Sequence, residues 1–270
     1  MGIRVVAIDL DGSLLTTDKQ LSNTNIQTVQ QVMDSGTRVV ICTGRSLPGV
    51  ERFVKQLDFA REEEYMILQN GAATYQLPAY ERIEDHTIKQ GGVTAAFDYI
   101  AEYPQFEIVA LTEQEFYYTG DHLNDRMAFE AKTLASPAIQ TSRSTLKQRD
   151  DLYKIIIMGD PKLMQDVMDS APQPVREEIT MIHSLPDLIE FIPKNVNKAV
   201  GLKHLCQRLD IQAEDVMAIG DEHNDIEMLQ FAGLGVAMGN ANESVKAVAN
   251  AITATNNDDG VAQALKQYLL

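Results

Sequence analysis

Five short apolar runs constrain the fold of this chain most: RVVAI (4–8), RVVICT (38–43), YMIL (65–68), VMAIG (216–220) and LGVAM (234–238). Each has the length of a strand, and each is apolar at nearly every position. A strand with one wet face alternates polar and apolar residues, whereas a continuous run needs cover on both faces, as in a parallel sheet. Between the first two runs, Ile26, Val29, Val32 and Met33 recur at helical spacing. Ser22 stands where an N-cap belongs and Gly36 where the helix should stop. Strand, helix and strand in that order predict the right-handed crossover unit of α/β folds.

The middle of the chain has a different period. FEIVALTEQEFYYTG (106–120) and TMIHSLPDLIEFIP (180–193) each read as two strands joined by a short polar link. In YKIIIMGDPKLMQDVM (153–168), a strand is followed by Asp160 as N-cap and Pro161 at the first helical position. The expected fold is therefore α/β, a Rossmann-like doubly wound parallel sheet made of residues 1–82 and 193–270. An α+β domain with an antiparallel sheet is expected as an insertion at 83–192.

Ligands of doubly wound sheets bind beyond the carboxyl ends of the strands. The first run ends in Asp9-Leu10-Asp11-Gly12-Ser13, the second in Thr43-Gly44-Arg45, and VMAIG in Asp221-Glu222-His223-Asn224-Asp225. Lys198 opens a helix, where its charge opposes the helix dipole and so suggests a role beyond local stability. Taken singly, these are a solvated turn, an exposed loop, an acidic helix start and a surface lysine. Their co-occurrence at strand ends points to chemistry. Two carboxylates next to each other and a third from a distant segment make an oxygen-only site suited to Mg²⁺. Such a cation would cancel the repulsion between Asp9 and Asp11 and would accept phosphate oxygens.

Composition narrows the partners. The net charge of −16 argues against a nucleic-acid partner and means that an anionic substrate needs local positive charge. Cys42 and Cys206 lie in apolar surroundings without a CxxC, which argues against a disulfide framework or a thiolate metal site. No apolar run approaches the roughly 18 residues of a membrane span, and the first residues lack the pattern of a signal peptide. A cytoplasmic protein acting on a small molecule, with no membrane partner, is expected.

The set D9-L-D-G-S13, T43-G-R45, K198 and G220-D-E-H-N-D225 resembles the haloacid dehalogenase superfamily of phosphotransferases. The position of the insertion resembles that superfamily's Cof-type branch, subfamily IIB, which is rich in sugar phosphatases. QNGA (69–72), AGLGVAMGNA (232–241) and TNNDDGVA (255–262) extend the likeness over nearly the whole chain, with Ser13 and Ala199 standing where Thr and Gly are commoner. The resemblance implies a Mg²⁺-dependent phosphatase for small phosphoesters, with the insertion as a C2-type cap that selects the substrate. It makes Asp9 the nucleophile that forms an aspartyl-phosphate and Asp11 the general acid and base. Thr43 and Lys198 would hold the phosphoryl group. Asp9, Asp11 through its backbone carbonyl, Asp221, Asn224 and Asp225 would surround the metal. Ser13, Gly44, Arg45, Asn70 and Asn224 would line the substrate site. A phosphosugar mutase and a phosphosugar-binding regulator without turnover are the alternative expectations.

Overall fold

The computed structural model describes residues 2–59 and 64–270 and divides into two compact units. One comprises residues 1–45, 51–85 and 197–270, the other residues 46–50 and 86–196.

The first unit carries β1 (Val5–Asp9), β2 (Arg38–Cys42), β3 (Tyr65–Leu68), β4 (Ala73–Gln76) and β5 (Glu81–Asp85). The second supplies β6 (Glu107–Leu111), β7 (Phe116–Tyr118), β8 (Ala138–Gln140), β9 (Lys154–Met158), β10 (Ile179–Leu185) and β11 (Leu188–Pro193). The chain returns to the first unit with β12 (Val216–Gly220), β13 (Leu234–Ala237) and β14 (Ala251–Ile252).

The first sheet has the order β14-β13-β12-β1-β2-β3-β4-β5. From β14 to β3 every pairing is parallel, with Ile8 opposite Ile219 on one side and Ile41 on the other. Val5 to Ile8 are 0% exposed, which is why the run shows no alternation. The helix Asn23–Asp34 forms where Val29, Val32 and Met33 face the core. Ser22 caps it by accepting from the Asn25 N–H at 3.0 Å, and Gly36 ends it with φ of +88°. β4 and β5 add an antiparallel hairpin that the apolar runs do not announce. β5 is mostly exposed, as an edge strand can be.

The second sheet runs β10-β11-β9-β6-β7-β8. All pairs are antiparallel except β7 with β8, a parallel pair within what the sequence reads as an antiparallel sheet. Ile155 and Ile157 pack into one cluster with Phe97, Ile100 and Val167, while Ile156 and Met158 pack into another with Phe116 and Met127. Alternate residues of β9 thus serve opposite faces. That explains a continuous apolar run in an antiparallel sheet.

At the carboxyl end of β3 the chain turns through three consecutive left-handed residues: Gln69 (φ 52°), Asn70 (φ 57°) and Gly71 (φ 99°). A Cβ on Gly71 would lie 2.1 Å from the carbonyl oxygen of Asn197, the N-cap of the helix Lys198–Arg208. Gly71 thus lets the turn and that helix start pack backbone to backbone. Gly71→Ala is expected to destabilise the protein by about 3 kcal/mol through clash and backbone strain, measured by urea unfolding. A loss below about 1 kcal/mol would show that the turn relaxes freely.

Candidate active site

The site is assembled from strand ends that the parallel order of the sheet brings side by side: β1, β2, β3, β12 and β13. Asp9 closes β1 and is 4% exposed. Its Oδ1 accepts from Lys198 Nζ at 2.5 Å, while its Oδ2 is buried with no hydrogen-bond partner among the described residues. Lys198 stands at the first position of its helix and is 1% exposed. Its Nζ also donates to Asp225 Oδ1 at 2.7 Å. The two carboxylates hold its pKa above the ordinary lysine value, although burial works the other way. A buried cation at the positive end of a helix is tolerable because both neighbours are anionic.

Asp225 is fully buried, and each of its oxygens is engaged. Oδ1 meets Lys198, and Oδ2 accepts from the backbone N–H groups of Asp221 and Glu222 at 3.0 and 3.1 Å. It acts as a bracket for the loop after β12. Gly220 is required there, because a Cβ would lie 2.5 Å from the Asp225 carboxyl carbon. Asp221 is brought beside Asp9 from the other side. Ser13 Oγ donates to Asp221 Oδ1 at 3.0 Å, and Asn240 Nδ2 donates to Oδ2 at 3.3 Å and to the Gly12 carbonyl at 2.8 Å.

Carboxylate oxygens of Asp9, Asp221 and Asp225 lie within 4.8 Å of one another. Three carboxylates against one lysine leave a net charge of −2. Burial first, then the neighbouring carboxylates, push Asp221 up to about 6 and Asp9 well above the usual range. The orphaned Asp9 oxygen, the charge deficit and an oxygen-only donor set all fit a hard divalent cation. Asp9, Asp221 and Asp225 are the described residues that would hold it.

Asp11 lies outside this cluster. Its carboxylate accepts from Arg45 Nε at 2.6 Å and Nη2 at 2.7 Å, and Lys19 Nζ lies 2.8 Å away. Burial alone would raise its pKa, but Arg45 and then Lys19 override it and lower it to about 2. Thr43 Oγ1 accepts from the Arg45 N–H at 3.2 Å, leaving the hydroxyl proton for a ligand. Asn70 joins from the β3 turn: its N–H donates to the Thr43 carbonyl at 3.0 Å, and its Oδ1 accepts from Asn224 Nδ2 at 3.0 Å. Gly44 permits this approach, since a Cβ would lie 2.9 Å from Asn70 Oδ1.

The structure thus brings Asp9, Ser13, Lys198, Asp221 and Asp225 into one cluster, and Asp11, Thr43, Gly44, Arg45, Asn70 and Asn224 beside the same strand ends. Three residues of that set have partners within the site. Ser13 holds Asp221. Asn224 holds Asn70, and Asp225 holds Lys198 and a loop. Sequence reasoning also passed over Asn240 and Lys19. Asn240 follows β13, so the strand-end rule that found the other residues would have found it; Lys19 has no such signal.

The model of the haloacid dehalogenase-like hydrolases matches residues 6–265, and the chain belongs to that family. It is 32% identical to a Bacillus subtilis 5-amino-6-(5-phospho-D-ribitylamino)uracil phosphatase, YitU, over 98% of this chain and 97% of that one. A haloacid dehalogenase-like hydrolase from Bacteroides thetaiotaomicron superposes with a TM-score of 0.89 at 27% identity, covering 98% of this chain and 99% of that one. The subclass IIB sugar phosphatase BT4131 shares the fold, with a TM-score of 0.82 at 22% identity over 98% of each chain. Among the described residues no helix is long and apolar enough to cross a membrane.

Stability should report the acidic cluster. The folded state keeps a proton on Asp221 that the unfolded state releases near pH 4, so without divalent cation stability falls as pH rises from about 4 to about 6. Asp11 acts in the opposite sense, and its contribution is lost as pH falls from about 4 towards about 2. A divalent cation at about 100 times its Kd should stabilise the neutral-pH protein by about 2.7 kcal/mol and flatten the loss above pH 4. Thermal unfolding across pH with Mg²⁺ or EDTA measures both effects. Asn240→Ala should weaken the cation's Kd by about tenfold, read by calorimetric titration.

Proposed function

We propose that this chain is a Mg²⁺-dependent phosphatase that hydrolyses small phosphorylated metabolites, sugar phosphates among them, through an aspartyl-phosphate on Asp9. The observation that carries the reading is Asp9 itself: one oxygen is fixed by Lys198 and the other is buried, unpartnered and beside Asp221. A carboxylate is a weak nucleophile, so its power must come from placement and from neutralised charge. Asp9 and Asp221 would hold Mg²⁺, which when bound offsets the charge of the acids and of the phosphoryl group.

A carboxylate oxygen of Asp9 forms a bond to phosphorus while the bond to the ester oxygen breaks. The Thr43 hydroxyl and the Lys198 ammonium donate to the phosphoryl oxygens, at a point where charge is redistributed over them. The leaving oxygen takes a proton from Asp11, which then withdraws one from the water that hydrolyses the acyl phosphate. Held by Arg45 and Lys19, Asp11 carries no proton near neutral pH. The acid step therefore requires its carboxylate to leave those cations as substrate binds, take up a proton from water, and pass that proton to the ester oxygen. We assign the choice of substrate to the inserted segment 83–192.

Phosphate release from a panel of sugar phosphates and a chromogenic ester, with Mg²⁺ and with EDTA, tests the reading. Asp9→Asn is expected to lower kcat by at least about 10³-fold, a magnitude typical of losing a nucleophile, in a protein whose circular dichroism shows it still folded at the assay temperature. Metal-independent release, or full activity in the variant, would remove Asp9 from its role. An isomerised ester in place of free phosphate would assign the chain to the mutases.

A further inference from the structure

Three cations gather near the first unit's strand ends, in a chain whose net charge is −16. Arg45, 5% exposed, grips Asp11 with two hydrogen bonds, and Lys19 adds a third contact at 2.8 Å. Arg52 approaches the same place: its guanidinium stacks 4.4 Å from the Phe53 ring centroid and donates to the Lys19 carbonyl at 3.4 Å. The same ring carries Arg45 at 5.4 Å. Among the described residues no carboxylate pairs with Arg52. The neighbouring Glu51 is engaged by Lys55 at 3.6 Å, and Asp18 is exposed and pairs with no cation among the described residues.

Lys19 is presented by a closed turn. Its N–H donates to the Thr16 carbonyl at 2.9 Å, and the Thr16 N–H donates to that of Gln20 at 2.9 Å. A built turn that delivers a lysine onto a carboxylate already bound twice by an arginine adds little stability, because a half-exposed ion pair is worth about 1 kcal/mol at most. It does leave local positive charge in excess of one carboxylate, beside the place where the alcohol half of an ester would stand.

We infer that Lys19, Arg45 and Arg52 form an anion subsite for the leaving half of the substrate, so that the preferred esters carry a second anionic group, a carboxylate or another phosphate, a few bonds from the ester oxygen. That group replaces Asp11 as the counter-ion of Arg45 and Lys19, and Asp11 is freed to face the leaving oxygen. A substrate without it leaves the two cations on Asp11. The inference rests on the phosphatase reading and narrows its substrate class.

The test compares matched esters. 3-Phosphoglycerate against glycerol 3-phosphate reads the carboxylate arm, and fructose 1,6-bisphosphate against fructose 6-phosphate reads the phosphate arm. In each arm the quantity read is the ratio of kcat/KM, anionic over neutral, so losses common to both esters cancel. The wild type is expected to favour the anionic member of at least one arm by about tenfold. Lys19→Met and Arg52→Met should each lower that ratio about fivefold, the effect of one cation worth about 1 kcal/mol, and added salt should erode it. Ratios near one in the wild type, or ratios unchanged in both variants, would overturn the inference. Calorimetric Kd ratios for the same pairs on Asp9→Asn read the preference without turnover. A preference there with no hydrolysis anywhere would overturn the phosphatase reading and keep the anion subsite. No preference in either measurement would overturn the subsite.

Discussion

Much of the first unit depends on one buried interaction, the Lys198 ammonium held between Asp9 and Asp225. Removing either partner of a buried pair leaves a charge stranded at low dielectric, which typically costs about 3–5 kcal/mol. The sandwich therefore ties together the end of β1, the loop after β12 and the start of the helix Lys198–Arg208. It also orients Asp9, whose second oxygen is left bare.

Glycines set how closely those strand ends can approach. A Cβ on Gly12 would lie 2.3 Å from Asp221 Oδ2, and one on Gly44 would meet Asn70. The first glycine lets Asp221 reach the loop after β1, and the second lets the β3 turn reach the loop after β2. The carboxylates packed this tightly are stable only with compensating charge, so folding energetics and cation affinity are coupled here.

Arg45 gives the site a second level of organisation. It bonds Asp11, lies against Phe53, and its backbone carbonyl and N–H meet Gln69 and Thr43. Asp11 is consequently held in an ion pair, and the proposed acid role is reached by exchanging partners.

The sequence by itself determined the α/β class, the positions of β1, β2, β3 and β12 and the identity of most residues at their ends. Those features are local: a run apolar at every position needs two covered faces, and the residues that follow it must lie at the edge of the sheet. It also determined the cap at Ser22 and the strand pairs of the middle segment, which rest on short-range patterns. The β4–β5 hairpin, the parallel β7–β8 pair and the packing of both faces of β9 had no local signature. Only the tertiary structure decided that Ser13 and Asn240 hold Asp221, that Asp225 serves Lys198, and that Lys19 and Arg45 bind Asp11. These contacts join residues as far as 208 positions apart. Residue identity is written in the chain, but a side chain's partner is set by which strand ends the sheet places next to one another.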